Sequence, residues 1–114
     1  MSTTHARMTI EWSVPIGQTR PITMALHSLA SDVRPMSGCV SCSVSTDIAN
    51  RGLVRYVEEW RSEEDLRHRV NADTFVHLIT LIEEASQPPY IEFTLDGGTR
   101  GFEFVEEVRG ARLQ

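Results

Sequence analysis

Apolar and polar residues alternate between Met8 and Val14, with Ile10, Trp12 and Val14 on one side and Thr9, Glu11 and Ser13 on the other. A period of two predicts a half-buried strand, ended here by Pro15 and Gly17. The period then changes. Ile22, Ala25, Leu26, Leu29, Ala30 and Val33 recur three and four apart, the stripe of an amphipathic helix that Thr19 is placed to cap and Pro21 to enter early. Pro35 and Gly38 stop it. After Gly38 alternation resumes, with Val40, Cys42 and Val44 opposite Cys39, Ser41, Ser43 and Ser45. A turn-like Asp47–Gly52 leads to a third strand, Leu53–Trp60, with Val54, Tyr56, Glu58 and Trp60 on one face. The second and third strands are expected to form a hairpin.

Ser62 followed by Asp65 resembles a capping box, and Glu63 and Glu64 suit the first turn of a helix that carries Leu66 and Val70. Asn71 and Ala72 predict an interruption, after which Phe75, Leu78, Ile79 and Ile82 form the stripe of a further helix. Pro88-Pro89 enforces an extended exit into a fourth strand, Tyr90–Leu95. Asp96-Gly97-Gly98 is a turn signal. The segment Gly101–Val108 is read as a strand, with Phe102, Phe104, Glu106 and Val108 opposite Glu103, Val105 and Glu107. The order is β-α-β-β-α-β with room for one extra strand, an α+β split β-α-β plan that sets an antiparallel sheet against helices.

Several strands carry uncharged residues on both faces, whereas a sheet covered on one side is expected to be polar on the other. That pattern points to a second layer, which a homodimer with facing sheets would supply.

The chain has 114 residues, enough for one hydrophobic core. Its organisation reads as a flexible N-terminus over 1–7, one domain over 8–109 and a tail over 110–114. Eleven basic residues oppose sixteen acidic ones, and every basic residue is arginine. Without lysine there is no Schiff-base chemistry and no Walker-type phosphate lysine. A net charge of -5 argues against nucleic acid as a partner. No apolar run approaches a membrane span and no leader-like h-region follows the first residues, so a cytoplasmic location is expected.

Cys39 and Cys42 form a C-x-x-C. Strand parity would point side chains three apart to opposite faces, and a zinc site would need two further ligands, so two unlinked thiols are expected. The paired glutamates read as solvated faces or arginine partners rather than a metal site.

Gly38-Cys39-Val40, then Tyr56-Val57-Glu58-Glu59-Trp60-Arg61-Ser62-Glu63-Glu64-Asp65-Leu66, then His68, Asp73 and Phe75 form an ordered series. It resembles the antibiotic biosynthesis monooxygenase family: "GC" opening a strand, a strand ending "EEW", a short "SEE-x-L" helix and a histidine eight residues after the tryptophan. The resemblance implies a ferredoxin-like fold that dimerises into an α+β barrel. It also implies oxidation of a quinol or polycyclic phenol by molecular oxygen, with no cofactor, in an apolar cavity between sheet and helices. Carried over, Trp60 matches the tryptophan ending the third strand and His68 the histidine on the next helix.

Tyr56 shares the face of Trp60, so the catalytic candidates are His68, Trp60 and Tyr56, with Phe75 and His27 lining the substrate pocket. Such polar-tipped aromatics suit a small aromatic partner, and His68 could accept a phenolic proton. The alternative is a dimeric binder of a small aromatic or apolar molecule without catalysis. The resemblance also reaches small relatives that open the haem ring, from which this chain is expected to differ: Arg69 stands at their helix tryptophan, their histidine falls near Ile79, and His77 is two positions away.

Overall fold

The computed structural model describes residues 5–47, 49–50 and 52–112. Strand β1 (Ala6–Ser13) lies at the centre of a five-stranded antiparallel sheet, between β3 (Leu53–Trp60) and β4 (Tyr90–Leu95). The outer strands are β2 (Cys39–Thr46), beside β3, and β5 (Gly98–Arg100), beside β4, giving the order β2-β3-β1-β4-β5. Registers of Ile10 with Tyr56 and of Met8 with Phe93 align the apolar sets of the three central strands on one face. Met8, Ile10, Trp12, Val54, Tyr56 and Phe93 are buried there.

Helix α1 (Thr19–Val33) covers that face with the expected stripe, burying Leu26, Ala30 and Val33. Gln18 rather than Thr19 is its N-cap, and no side chain caps it. Helix α2 (Glu63–Asn71) is capped as expected: Ser62 Oγ accepts the Asp65 N–H at 3.1 Å and its hydroxyl donates to the Asp65 carboxylate at 3.1 Å. Gly38 sits against that carboxyl with φ +88, where a Cβ would collide with the Asp65 carboxylate and any L side chain would be strained. The interruption after Asn71 is present: Ala72 is extended, a 3-10 turn spans Asp73–Phe75, and α3 runs Val76–Glu83.

Three expectations are corrected. The segment read as a final strand is helix α4 (Glu103–Arg112), because Phe104, Val105 and Val108 bury a helical face at spacings of one and three. The strand that follows the Asp96-Gly97 turn is instead the short β5. α4 is held by Arg67 and Arg100, whose guanidinium carbons lie 5.0 and 5.7 Å from the Phe104 ring centre, and by Arg109, which donates to the Val70 and Ala72 carbonyls at 2.8 and 3.0 Å.

The dimeric α+β barrel is also overturned. The sheet is a single open layer whose edges, β2 and β5, do not close on one another. Its uncovered face is not apolar at the centre: Arg7 pairs with Glu59 at 3.0 Å, and Arg55 Nε donates to Glu11 at 2.6 Å, each across directly opposite registers. Water satisfies such a face without a second sheet.

Finally, the β2–β3 register shifts between Cys39 and Ser41, so Cys39 opposes Trp60 and Cys42 opposes Glu58. This bulge puts both cysteines on the helix-covered side, where parity alone would separate them. Both thiols are free.

The expected loose N-terminus falls outside the described residues at 1–4, as do positions 48 and 51 of the Asp47–Gly52 turn and 113–114 of the tail. The strand itself begins at Ala6 and α4 reaches Arg112. Among the described residues no helix is long and apolar enough to cross a membrane.

Candidate functional site

A carboxylate lies under the helices. Glu58 is on the same face of β3 as Tyr56 and Trp60 and is fully buried. It accepts the Tyr56 hydroxyl at 2.6 Å and the Trp60 indole N–H at 2.9 Å. From α2, Arg69 donates Nε at 3.2 Å and Nη2 at 3.1 Å to the same carboxylate. The Arg69 side chain is 1% exposed and that of Glu58 0%. A desolvated ion pair is tolerated only when the remaining lone pairs are satisfied, which Tyr56 and Trp60 do; removing one partner costs about 3–5 kcal/mol.

Burial works against the Arg69 charge, but Glu58 beside it outweighs burial and the guanidinium pKa is raised. Burial, followed by the Glu58 charge, pushes the Tyr56 phenol far above its ordinary range, so Tyr56 acts as a hydrogen-bond donor and not as a base. Next to it, burial pushes the Cys42 thiol up to about 11, opposed by a hydrogen bond with Tyr56 and aided by Glu58. Burial also raises Cys39. Neither thiol is poised as a thiolate nucleophile.

The outer edge of Arg69 opens on a cavity of about 250 Å³ between α1 and the segment that leads into α3. Leu29, Val33 and Met36 form its apolar wall, and Asp32, Thr74 and His77 its polar rim. Arg69 Nη1 approaches Thr74 Oγ1 at only 3.5 Å, a weak contact that leaves this edge able to serve a ligand. Beneath the guanidinium, 5.1 Å from its central carbon, lies the Phe75 ring. The break at Ala72 makes the site, since it turns the chain so that Arg69 before it and Thr74 and Phe75 after it meet. Arg109 pins that break through the Val70 and Ala72 carbonyls.

Of the residues singled out from the sequence, Tyr56, Trp60 and Phe75 come together around Glu58 and Arg69. His68 and His27 are exposed on α2 and α1 and line none of this cavity. Three residues were missed. Glu58 shares the parity of Tyr56 and Trp60, which was visible. Arg69 lies next to Val70 and three residues past Leu66, within the buried arc of α2, which was also visible. His77 was set aside by position, yet it turns toward the cavity. Among the described residues no group of three or more His, Cys, Asp or Glu is placed to hold a metal ion.

An open antiparallel sheet with one helical layer, and a polar-floored cavity between the two, define a ferredoxin-like α+β domain. The model of the antibiotic biosynthesis monooxygenase family matches residues 6–80, and the chain belongs to that family. The match spans β1 to most of α3 and so includes every residue of the Glu58–Arg69 cluster and its cavity.

Solved structures share the fold. A conserved protein from Methanosarcina mazei Go1 superposes with a TM-score of 0.71 at 19% identity, over 82% of this chain and 93% of its own. A protein from Shewanella oneidensis gives 0.70 at 18% identity, over 81% and 90%. One from Pseudomonas aeruginosa gives 0.66 at 22% identity, over 82% and 93%. No curated protein matches the chain.

Proposed function

We propose that the chain is a cofactor-independent oxygenase that oxidises a quinol or polycyclic phenol with molecular oxygen in the cavity above Arg69. The observation that carries this reading is a buried, charge-compensated guanidinium forming the floor of an apolar cavity that has an imidazole on its rim. A flat aromatic ring suits walls of Leu29, Val33 and Met36. Its oxygen would rest on the Arg69 Nη1 edge, and His77 would accept its proton. Imidazole is the ordinary side chain that titrates nearest neutral pH. Tyr56 and Trp60 act one layer below: their hydrogen bonds fix Glu58, and Glu58 fixes Arg69.

The deprotonated ring passes one electron to oxygen, and the radical and superoxide recombine with formation of a C–O bond. The base returns its proton to the peroxide, the ring C–H proton is lost as the O–O bond breaks, and a phenol HO–Ar–H and O₂ thereby become a quinone O=Ar=O and H₂O. The guanidinium stabilises the oxyanion from which the electron leaves. Keeping water from the radical pair is the task of the apolar wall.

Oxygen uptake by metal-stripped protein on a panel of hydroquinones and polycyclic phenols tests this. Uptake above a protein-free blank, reduced at least about 10²-fold in Arg69→Met, is the expected result. No protein-dependent uptake across the panel, together with saturable binding of the same compounds, would replace the enzyme by a small-aromatic binder.

A further inference from the structure

A second cavity, of about 370 Å³, lies at the other end of the helical layer, where the β1–α1 loop and the first turns of α1 face the end of α3. Trp12, Ile22 and Leu81 supply carbon walls, and Pro21 adds one that has no N–H to offer. Trp12 is almost completely buried, and its indole N–H reaches the Leu81 carbonyl at only 3.4 Å, at the weak limit of a hydrogen bond. The polar lining is Gln18, Glu84 and Ser86, so among the described residues the only charge on the wall is a carboxylate.

That carboxylate stands in an unfavourable place. Glu84 caps the C-terminus of α3, whose last turn holds no basic residue, and Glu83 precedes it. Two carboxylates therefore sit at the negative end of a helix, and neither makes an ion pair with another described residue. A cation is what this end lacks. The neighbouring walls ask for a carbon body attached to it, and the volume lies at the small end of the range for ligand pockets.

We propose that this cavity binds a small organic cation, a primary ammonium on an aromatic or branched carbon body, with the ammonium beside Glu84 and the body against Trp12 and Ile22. The site is separate from the one above Arg69 and independent of any oxygenase activity. It shares no lining residue with that cavity. The ligand's charge would complement both Glu84 and the negative end of the α3 dipole.

Calorimetric titration with three compounds that share one carbon body tests it: 2-phenylethylammonium, 2-phenylethanol and phenylacetate, each at neutral pH. The ammonium is expected to bind at least about fivefold more tightly than the alcohol, with phenylacetate weakest, and to change the tryptophan fluorescence. Glu84→Gln is expected to reduce ammonium affinity to that of the alcohol. Ala85→Phe, which fills the cavity, should remove binding of both while the far-ultraviolet dichroism stays unchanged. If Ala85→Phe fails to fold, Glu84→Gln still decides. Equal affinity for the ammonium and the alcohol, ammonium binding unaffected by Glu84→Gln, or no ammonium binding at millimolar concentration would each overturn the proposal.

Discussion

Glu58 and Glu59 are neighbours on β3, and each holds an arginine, yet the two pairs live in different solvents. Glu59 meets Arg7 at 3.0 Å on the open face, with 28% and 54% of their side chains exposed. Glu58 meets Arg69 at 3.1 Å under the helices, with 0% and 1% exposed. Strand parity alone separates them. The open pair is screened by water and contributes at most about 1 kcal/mol. The covered pair has lost its water, so every lone pair needs a protein donor, and Tyr56 and Trp60 provide them. One residue of offset turns a surface ion pair into the floor of a cavity.

The comparison is broken most severely by removing the buried carboxylate. Glu58→Ala should destabilise the fold by about 3–5 kcal/mol, because Arg69 is left charged and unpaired and two aromatic donors lose their acceptor. Chemical denaturation followed by fluorescence measures it. The same experiment on Glu59→Ala should show a change of under about 1 kcal/mol. Equal effects would mean that the covered pair is hydrated after all.

Alkaline pH sharpens the contrast. The folded Cys42 thiol, beside Glu58, titrates at about 11, above the ordinary value of 9.0. Between those values the unfolded chain releases the proton while the folded chain keeps it, so stability is complete below pH 9 and falls as pH rises through 11. The loss should approach about 2–3 kcal/mol, and Tyr56, also raised by burial, adds to it in the same direction. Denaturation midpoints at pH 8, 10 and 11 test this, and Cys42→Ala should flatten part of the slope.

A smaller effect probes the scaffold that brings Arg69 to its cavity. Arg109→Ala withdraws the donor from the Val70 and Ala72 carbonyls and should cost about 1–2 kcal/mol. Amide exchange should quicken around Ala72 if Arg109 pins the chain break, and stay unchanged there if it does not.

Much of this arrangement was legible along the chain. Alternation placed Tyr56, Glu58 and Trp60 on one face because the pleat admits only two directions. The stripe from Ile22 to Val33, the Ser62 cap and the break after Asn71 are local signals, and all three are in the fold. The losses have physical causes. Phe102 to Val108 has apolar residues that satisfy both a period of two and a helical arc, and packing against Phe93, 4.8 Å from Phe104, settles the matter. The bulge at Val40 reverses parity and carries no residue signature, so Cys39 was assigned to the wrong face.

The polar cluster was half visible. Its glutamate was on the correct face, but its arginine lies eleven positions away on another element, and no pattern pairs them. Histidines are hardest to place, since α2 and α3 each offer one and only the turn at Ala72 decides which meets the cavity.

Oxygen uptake on one active quinol, measured for His77→Ala and His68→Ala side by side, tests the central claim most directly. The site above Arg69 predicts a loss of about 10²-fold or more for His77→Ala, the ordinary cost of removing a general base, and near wild-type turnover for the exposed His68→Ala. Full activity in His77→Ala, with the loss falling on His68→Ala instead, would contradict the assignment of the reaction to that cavity.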